Sequence, residues 1–133
     1  MKNKIIEVTA AIIFKDNKIL IAQRPEGDKL SGMWEFPGGK TEPKESKEEC
    51  LRRELFEELG IKSEIVEFFA ESTYEYPHLK INLLAFKALI ISGEPRPIVH
   101  SCITWVGLDE LRDYDFCPAD IPIVDKLIRS ILV

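Results

Sequence analysis

Gly38-Gly39-Lys40-Thr41-Glu42-Pro43-Lys44-Glu45-Ser46-Lys47-Glu48-Glu49-Cys50-Leu51-Arg52-Arg53-Glu54-Leu55-Phe56-Glu57-Glu58-Leu59-Gly60-Ile61 is the stretch whose reading decides the fold. Ser46 with Glu49 three residues later is a capping-box signature, and Gly60 just past the last periodic residue supplies a left-handed stop. The stretch therefore predicts a helix bounded by Ser46 and Gly60. At 100° per residue Leu51, Leu55 and Leu59 share one stripe that should face a core. Glu54, Glu57 and Glu58 fall on an arc bordering that stripe, not opposite it. Carboxylates at three- and four-residue spacings repel, more so when partly desolvated, and a cation relieves the repulsion. A hard divalent ion such as Mg²⁺ takes oxygen ligands and combines carboxylates with substrate phosphates, which suits this cluster. An acidic helix face taken alone is ordinarily a solvated surface. Here a glycine pair and Arg53 accompany it.

Working outward, Glu7 to Phe14 is a β-branched apolar run, Asp16-Asn17 is turn chemistry, and Ile19 to Ala22 is a second run, so a hairpin is expected. Arg24 to Met33, with Pro25, Gly27 and Gly32, reads as a loop. Trp34 to Phe36 reads as a short strand that delivers the glycines to the helix. Ser63 to Tyr76 and Asn82 to Ile91 form a second, longer hairpin turned at Pro77-His78. After a break at Gly93 to Pro97 come a strand over Ile103 to Val106 and a helical turn at Leu108 to Leu111. A terminal helix over Ile123 to Leu132 follows, with Val124, Leu127, Ile128 and Ile131 on one face. A mixed sheet between the two helices buries both stripes. The expected architecture is thus an α/β/α sandwich in one domain over residues 1–133.

Bulk properties narrow the function. The chain has 133 residues, 45% of them hydrophobic and 31% charged, with net charge -5. That balance argues against a nucleic-acid polymer as partner, because phosphate backbones demand clustered Lys and Arg. Cys50, Cys102 and Cys117 lack metal-site spacing and read as buried free thiols in a reducing compartment. No run reaches transmembrane length and no leader is evident, so cytoplasm is the expected location, with no membrane partner.

The spacing of the helix stretch resembles a known family. Gly39, Glu45, Arg53-Glu54-Leu55, Glu57-Glu58 and Gly60-Ile61 reproduce the nine constrained positions of the Nudix box over 23 residues. Glu7 to Phe14, Gln23-Arg24-Pro25, Trp34 to Lys40 and Cys117-Pro118-Ala119-Asp120-Ile121-Pro122 resemble the MutT-type branch, with the tail most similar to the CTP pyrophosphohydrolases. The resemblance implies a Nudix α/β/α sandwich. It further implies Mg²⁺-dependent hydrolysis of a nucleoside triphosphate to the monophosphate and pyrophosphate, with Mn²⁺ able to substitute. The Gly38 carbonyl, Glu54, Glu57 and Glu58 would hold metal, and Arg53 would fix the rotamers of the box acids. Glu45 is expected to be structural, near a helix start that favours negative charge. Lys40 and Arg24 are expected at the phosphates, and Glu35 and Phe36 near the base.

Asp120 sits where MutT-type enzymes carry the Asn or Asp that reads the base, and it is also a favoured N-cap. An ionised Asp only accepts hydrogen bonds, which suits an exocyclic amino donor such as cytosine N4; a buried, protonated one imitates Asn. CTP, dCTP, 5-methyl-dCTP and 8-oxo-dGTP are the expected substrates. Phe116, Tyr74 and Tyr76 are candidate stacking faces. The glutamate this branch often carries about six residues before the tryptophan of the strand preceding the final helices is replaced by Val99, next to His100. Three alternatives stay open: His100 substitutes, Glu94 does, or a box glutamate activates water. Pro77, sixteen residues after Ile61, has a spacing associated with ADP-ribose hydrolysis, and that activity, a non-hydrolytic Nudix activity and a non-catalytic nucleotide-binding module are the alternatives. A monomer or weak homodimer is expected.

Overall fold

The protein is described by a computed structural model covering residues 4–131. Strand β1 (Ile5–Lys15) is the axis of the fold. It runs parallel to β6 (Leu79–Ser92) on one edge, and on the other it pairs antiparallel with β4 (Gly38–Lys40) and, at its far end, with β2 (Lys18–Gln23). The β1–β2 hairpin closes through Asp16 and Asn17, both left-handed, at φ 52° and 63°. Its pairing stops after Phe14↔Ile19. From there β2 diverges to pair with β3 (Trp34–Glu35) and β7 (Cys102–Gly107), while β6 continues into β5 (Lys62–Tyr76). The outcome is a seven-stranded mixed sheet.

Period-two alternation in the central strands feeds two cores. Ala10 and Ile12 of β1 with Ile19 and Ile21 of β2 point to one face, and Ala11, Ile13 and Leu20 to the other. The first face is covered by α2 (Ile121–Ile131) through Ile123, Val124 and Leu127, and the second by α1 (Lys47–Leu59) through Leu51, Leu55 and Leu59. This is the sandwich that the two apolar stripes predict.

Helix α1 begins as expected. Ser46 accepts from Glu49 N–H, Glu49 accepts from Ser46 N–H, and Gly60 ends the helix at φ 73°. Its last carbonyls are satisfied from outside: Ile98 N–H donates to Glu58 O at 3.2 Å and Arg96 N–H to Leu59 O at 3.0 Å. That docking ties the segment before β7 to the acidic end of α1.

Several boundaries differ from expectation. The glycine pair is itself a strand, β4, because Gly38 and Gly39 can approach β1 closely. The short strand before it ends at Glu35, not Phe36. The second hairpin is longer, since cross-strand pairing runs to its turn at Pro77-His78. The helical turn after β7 is a 3₁₀ segment, Leu108–Asp113, and a second one, Pro118–Asp120, leads into a terminal helix that starts two residues earlier than expected. Leu132 lies outside the described residues, as does the Ile131 side chain. Cys50 and Cys117 are buried free thiols, but Cys102 is only half-buried. Among the described residues no helix is long and apolar enough to cross a membrane.

Leu55, fully buried, carries the α1 core contact. Leu55→Ala is expected to cost about 2–5 kcal/mol in urea unfolding. Phe56→Ala, one residue away but 59% exposed, should stay within about 0.5 kcal/mol.

Candidate active site

Four segments meet in a cleft of about 830 Å³. It is lined by the glycine strand β4, Glu58 at the end of α1, Arg24 and the loop after β2, and the Tyr76–Leu79 turn, with His100, Cys117 and Asp120 closing it. Of the residues expected at the site, the structure brings Gly38, Lys40, Glu58, Arg24, Glu35, Phe36, His100 and Asp120 to the cleft wall. Glu45, Arg53, Glu54 and Glu57 lie beside it, along α1.

Arg53 organises that flank. It donates to both oxygens of Glu45, Nε at 2.9 Å and Nη2 at 2.8 Å, and Nη1 donates to Glu54 at 2.8 Å. Nη1 also reaches Glu57 at 3.4 Å, and Nη2 the Lys40 carbonyl at 3.4 Å. The guanidinium is held above its ordinary pKa, first by the Glu45 hydrogen bond, and Glu45 below its own, first by Arg53. Glu45, expected near the helix start for its charge, is gripped on both oxygens by this fork. A Cβ on Gly39 would overlap the Glu54 carboxyl, and one on Gly38 would overlap the Thr9 carbonyl. The glycine pair thus lets β4 lie against β1 while leaving room for Glu54. Thr9 Oγ1 donates to the Gly39 carbonyl at 3.2 Å, and the Cys50 thiol to the Lys40 carbonyl at 3.3 Å, pinning the strand from beneath.

Glu58 is the one α1 carboxylate in the cleft. Burial pushes its carboxyl up to about 7, the charges of Glu35 and Glu54 add to that, and His100 and the Gly38 N–H oppose it. The Gly38 N–H donates to Oε1 at 3.3 Å. Glu57 is far more open, its side chain 55% exposed.

Asp120 is not the helix N-cap that its position suggests. Its Oδ2 accepts the Phe36 N–H at 3.0 Å, linking the α2 entrance to the end of β3. Burial, then the charge of Glu35, raises its pKa well above the ordinary value, against the Phe36 N–H and Arg24. The Phe36 ring is buried and packs on Phe116 at 5.4 Å, so Phe116 is a core support and not a stacking face. Tyr76 lines the cleft and Tyr74 packs against it from outside, ring centroids 4.6 Å apart.

Arg24 reaches the cleft, but its guanidinium is committed to Glu35, Asp28 and the Lys29 carbonyl at 2.7–2.9 Å. Lys40 is the exposed cation of the pair. His100, in contrast, is buried in the cleft wall with Nε2 2.9 Å from Glu35 Oε2. Glu94 is exposed and outside the cleft lining. Sequence reasoning missed Asp28 and Lys29 on the rim and the Thr9–Cys50 support. Polar residues in a glycine-rich loop and one Thr in an apolar strand were the available signals.

The residues fit a hard divalent cation in three respects. Glu54, Glu57 and Glu58 offer oxygen donors only. Gly39 leaves space that a Cβ would fill beside Glu54. Burial disfavours ionised Glu58 unless a cation compensates. Among the described residues no three His, Cys, Asp or Glu side chains converge as a ligand set.

A mixed sheet lies between two helices, and a capped acidic helix follows a glycine strand at the mouth of a cleft. The chain belongs to the Nudix family: the model of the NUDIX domain matches residues 8–126. It is 43% identical to the CTP pyrophosphohydrolase of Escherichia coli (strain K12), over 92% of this chain and 90% of that one. It is 36% identical to a protein of Mycobacterium tuberculosis (strain CDC 1551 / Oshkosh) named putative 8-oxo-dGTP diphosphatase 2, over 93% and 89%. The solution structure of the E. coli ORF135 protein superposes with a TM-score of 0.83 at 40% identity, covering 96% of this chain and 91% of that one. Nudix hydrolases generally work with a divalent metal ion.

The raised carboxyl of Glu58 gives a signed pH dependence. In the metal-free protein its stabilising effect is intact below the ordinary value of 4.5 and is lost progressively as pH rises to about 7, since the native state binds the extra proton in that window. Glu58→Gln should flatten the fall of Tm between those pH values; an unchanged slope would show that Glu58 is not the titrating group.

Proposed function

We propose that the protein hydrolyses a nucleoside triphosphate to the monophosphate and pyrophosphate in an Mg²⁺-dependent reaction. The substrates in view are a pyrimidine triphosphate (CTP, dCTP or 5-methyl-dCTP) or 8-oxo-dGTP. The observation that carries this reading is a single cleft that holds both Glu58 with the β4 glycines, suited to metal and phosphate, and Asp120 with the Phe36 N–H, suited to a base edge. The names of the two relatives point the same way.

A bound divalent ion supplies Lewis-acid polarisation of the phosphate chain and a water of lowered pKa. The chain's own residues do the rest. Glu54, Glu57, Glu58 and the Gly38 carbonyl would hold the ion, with Arg53 orienting Glu54 and Glu57 from behind. With the Gly38 N–H on Glu58 Oε1, Oε2 is left to take a cation or a water proton. Lys40 would bind a phosphate oxygen as a compact charge. Arg24 would serve as an anchor of the loop that borders the phosphates, not as their direct ligand.

Asp120 would read the base. A neutral carboxyl donates a hydrogen bond from Oδ1 while Oδ2 still accepts from Phe36, whereas the ionised form only accepts. The upward shift of its pKa therefore lifts the restriction to amino donors and keeps both substrate classes in play. Aromatic and apolar walls from Tyr76, Ile81 and Leu83 would exclude water around the base.

A panel of CTP, dCTP, 5-methyl-dCTP, 8-oxo-dGTP, dGTP, dATP and ADP-ribose with Mg²⁺, scored for monophosphate and pyrophosphate, tests the reading. Turnover of at least one triphosphate above ADP-ribose is expected, and none would sink it. Glu57→Gln should lower kcat by about 10² or more with the fold intact. Asp120→Asn should reorder the base preference while turnover persists, and an unchanged order would remove Asp120 from base reading.

A further inference from the structure

A relay of polar side chains runs from the buried cleft wall to its exposed rim. His100 Nε2 lies 2.9 Å from Glu35 Oε2, and Arg24 Nη1 donates to Glu35 Oε1 at 2.9 Å. Arg24 then donates through Nη2 to Asp28 Oδ2 at 2.7 Å and through Nε to the Lys29 carbonyl at 2.9 Å. Side-chain exposure rises along it, from 3% at His100 through 21% at Glu35 and 25% at Arg24 to 39% at Asp28. Glu35 accepts from Arg24 on one oxygen and faces His100 with the other, so Nε2 is the protonated ring nitrogen. Nδ1 is buried without a hydrogen-bond partner. Among the described residues Glu35 is thus the one hydrogen-bond partner of the imidazole.

The loop at the far end needs holding. Leu30 sits at φ 62° and Gly27 at φ 84°, and left-handed backbone at a leucine is strained, so its surroundings must offset it. The backbone bond inside the loop tip is long, Asp28 N–H to Pro25 O at 3.4 Å. The Arg24 fork on Asp28 and Lys29 is the stronger tie. Pro25, Asp28, Lys29 and Leu30 all line the cleft, so whatever orients Arg24 orients the rim.

We infer that His100 is a positioning residue: by fixing Glu35 it fixes Arg24, and through Arg24 it holds the 25–30 rim loop in the conformation that receives the nucleotide. The substrate half of this inference rests on the function proposed above; the loop half does not. His100 makes no contact with the reacting atoms in this account. Its docking depends on the Ile98 and Arg96 bonds to the end of α1, which set the segment that carries it. The rim is therefore connected to the acidic helix through the Arg96 and Ile98 backbone bonds and the His100–Glu35–Arg24 side-chain relay.

Amide exchange of residues 26–30 measured on the full chain tests the loop half. His100→Ala should speed exchange there by about tenfold without a comparable change in the β1 and β6 amides. His100→Gln, whose Nε2 amide can still donate to Glu35, should restore it. With a turned-over triphosphate, His100→Ala should raise KM by about fivefold with a smaller fall in kcat, again recovered in His100→Gln. Should His100→Ala not fold, Glu35→Gln, which keeps the size and breaks the charge link to Arg24, is expected to give the same local exchange. Wild-type exchange at 26–30 in the folded variants, or no recovery with glutamine, would overturn the inference. Absence of any turnover in the wild type would instead remove the proposed function and leave the exchange result to decide this one.

Discussion

The guanidinium of Arg53 donates to both Glu45 oxygens, to Glu54 and to the Lys40 carbonyl from one planar group. Charge-assisted forks of this kind are short and directional, and lysine cannot reproduce them. Their effect is to join three pieces of chain that are otherwise independent: the approach to α1, the body of α1 and the end of β4. With that joint in place, Glu54 lies against Gly39 and Glu58 meets the Gly38 N–H. The rest of the cleft is arranged around this corner. Leu51, Leu55 and Leu59 set the depth of the helix on the sheet, but the fork sets its relation to the glycines.

The cleft gathers acids where burial is unfavourable to them. Glu58 and Asp120 both have carboxyls pushed upward by burial, and the charge of Glu35 adds to each. Such an arrangement reduces stability at neutral pH and is maintained where chemistry requires it. Glu35 has Arg24 on one oxygen and His100 on the other, so both oxygens are hydrogen-bonded inside the wall. Among the described residues no Lys or Arg forms an ion pair with Glu58.

Local rules explain how much of this could be read beforehand. The ends of α1 follow from Ser46, Glu49 and Gly60 because capping is a matter of four or five adjacent residues. The two cores follow from the period-two strands and the leucine and Val124/Leu127 stripes. The glycine strand was harder: nothing local shows that Gly38 to Lys40 pairs with Val8 to Ala10, thirty residues away. Asp120 illustrates the same gap. Its sequence neighbourhood suggests a cap, yet its partner is the Phe36 N–H, 84 positions distant. Arg24 looked like a free cation and turned out to be spoken for by Asp28 and Glu35.

By itself the sequence determined the helix with its caps, the alternation that sorts side chains to two cores, and the spacing that places the chain among the Nudix proteins. These are properties of short windows, fixed by backbone geometry and side-chain periodicity. The tertiary structure decided which carboxylates are buried, which cations are already paired, and that His100 and not Glu94 enters the cleft wall. Burial and long-range pairing set those outcomes, because a carboxyl's ionisation and a guanidinium's partners depend on groups that only the folded sheet brings within reach.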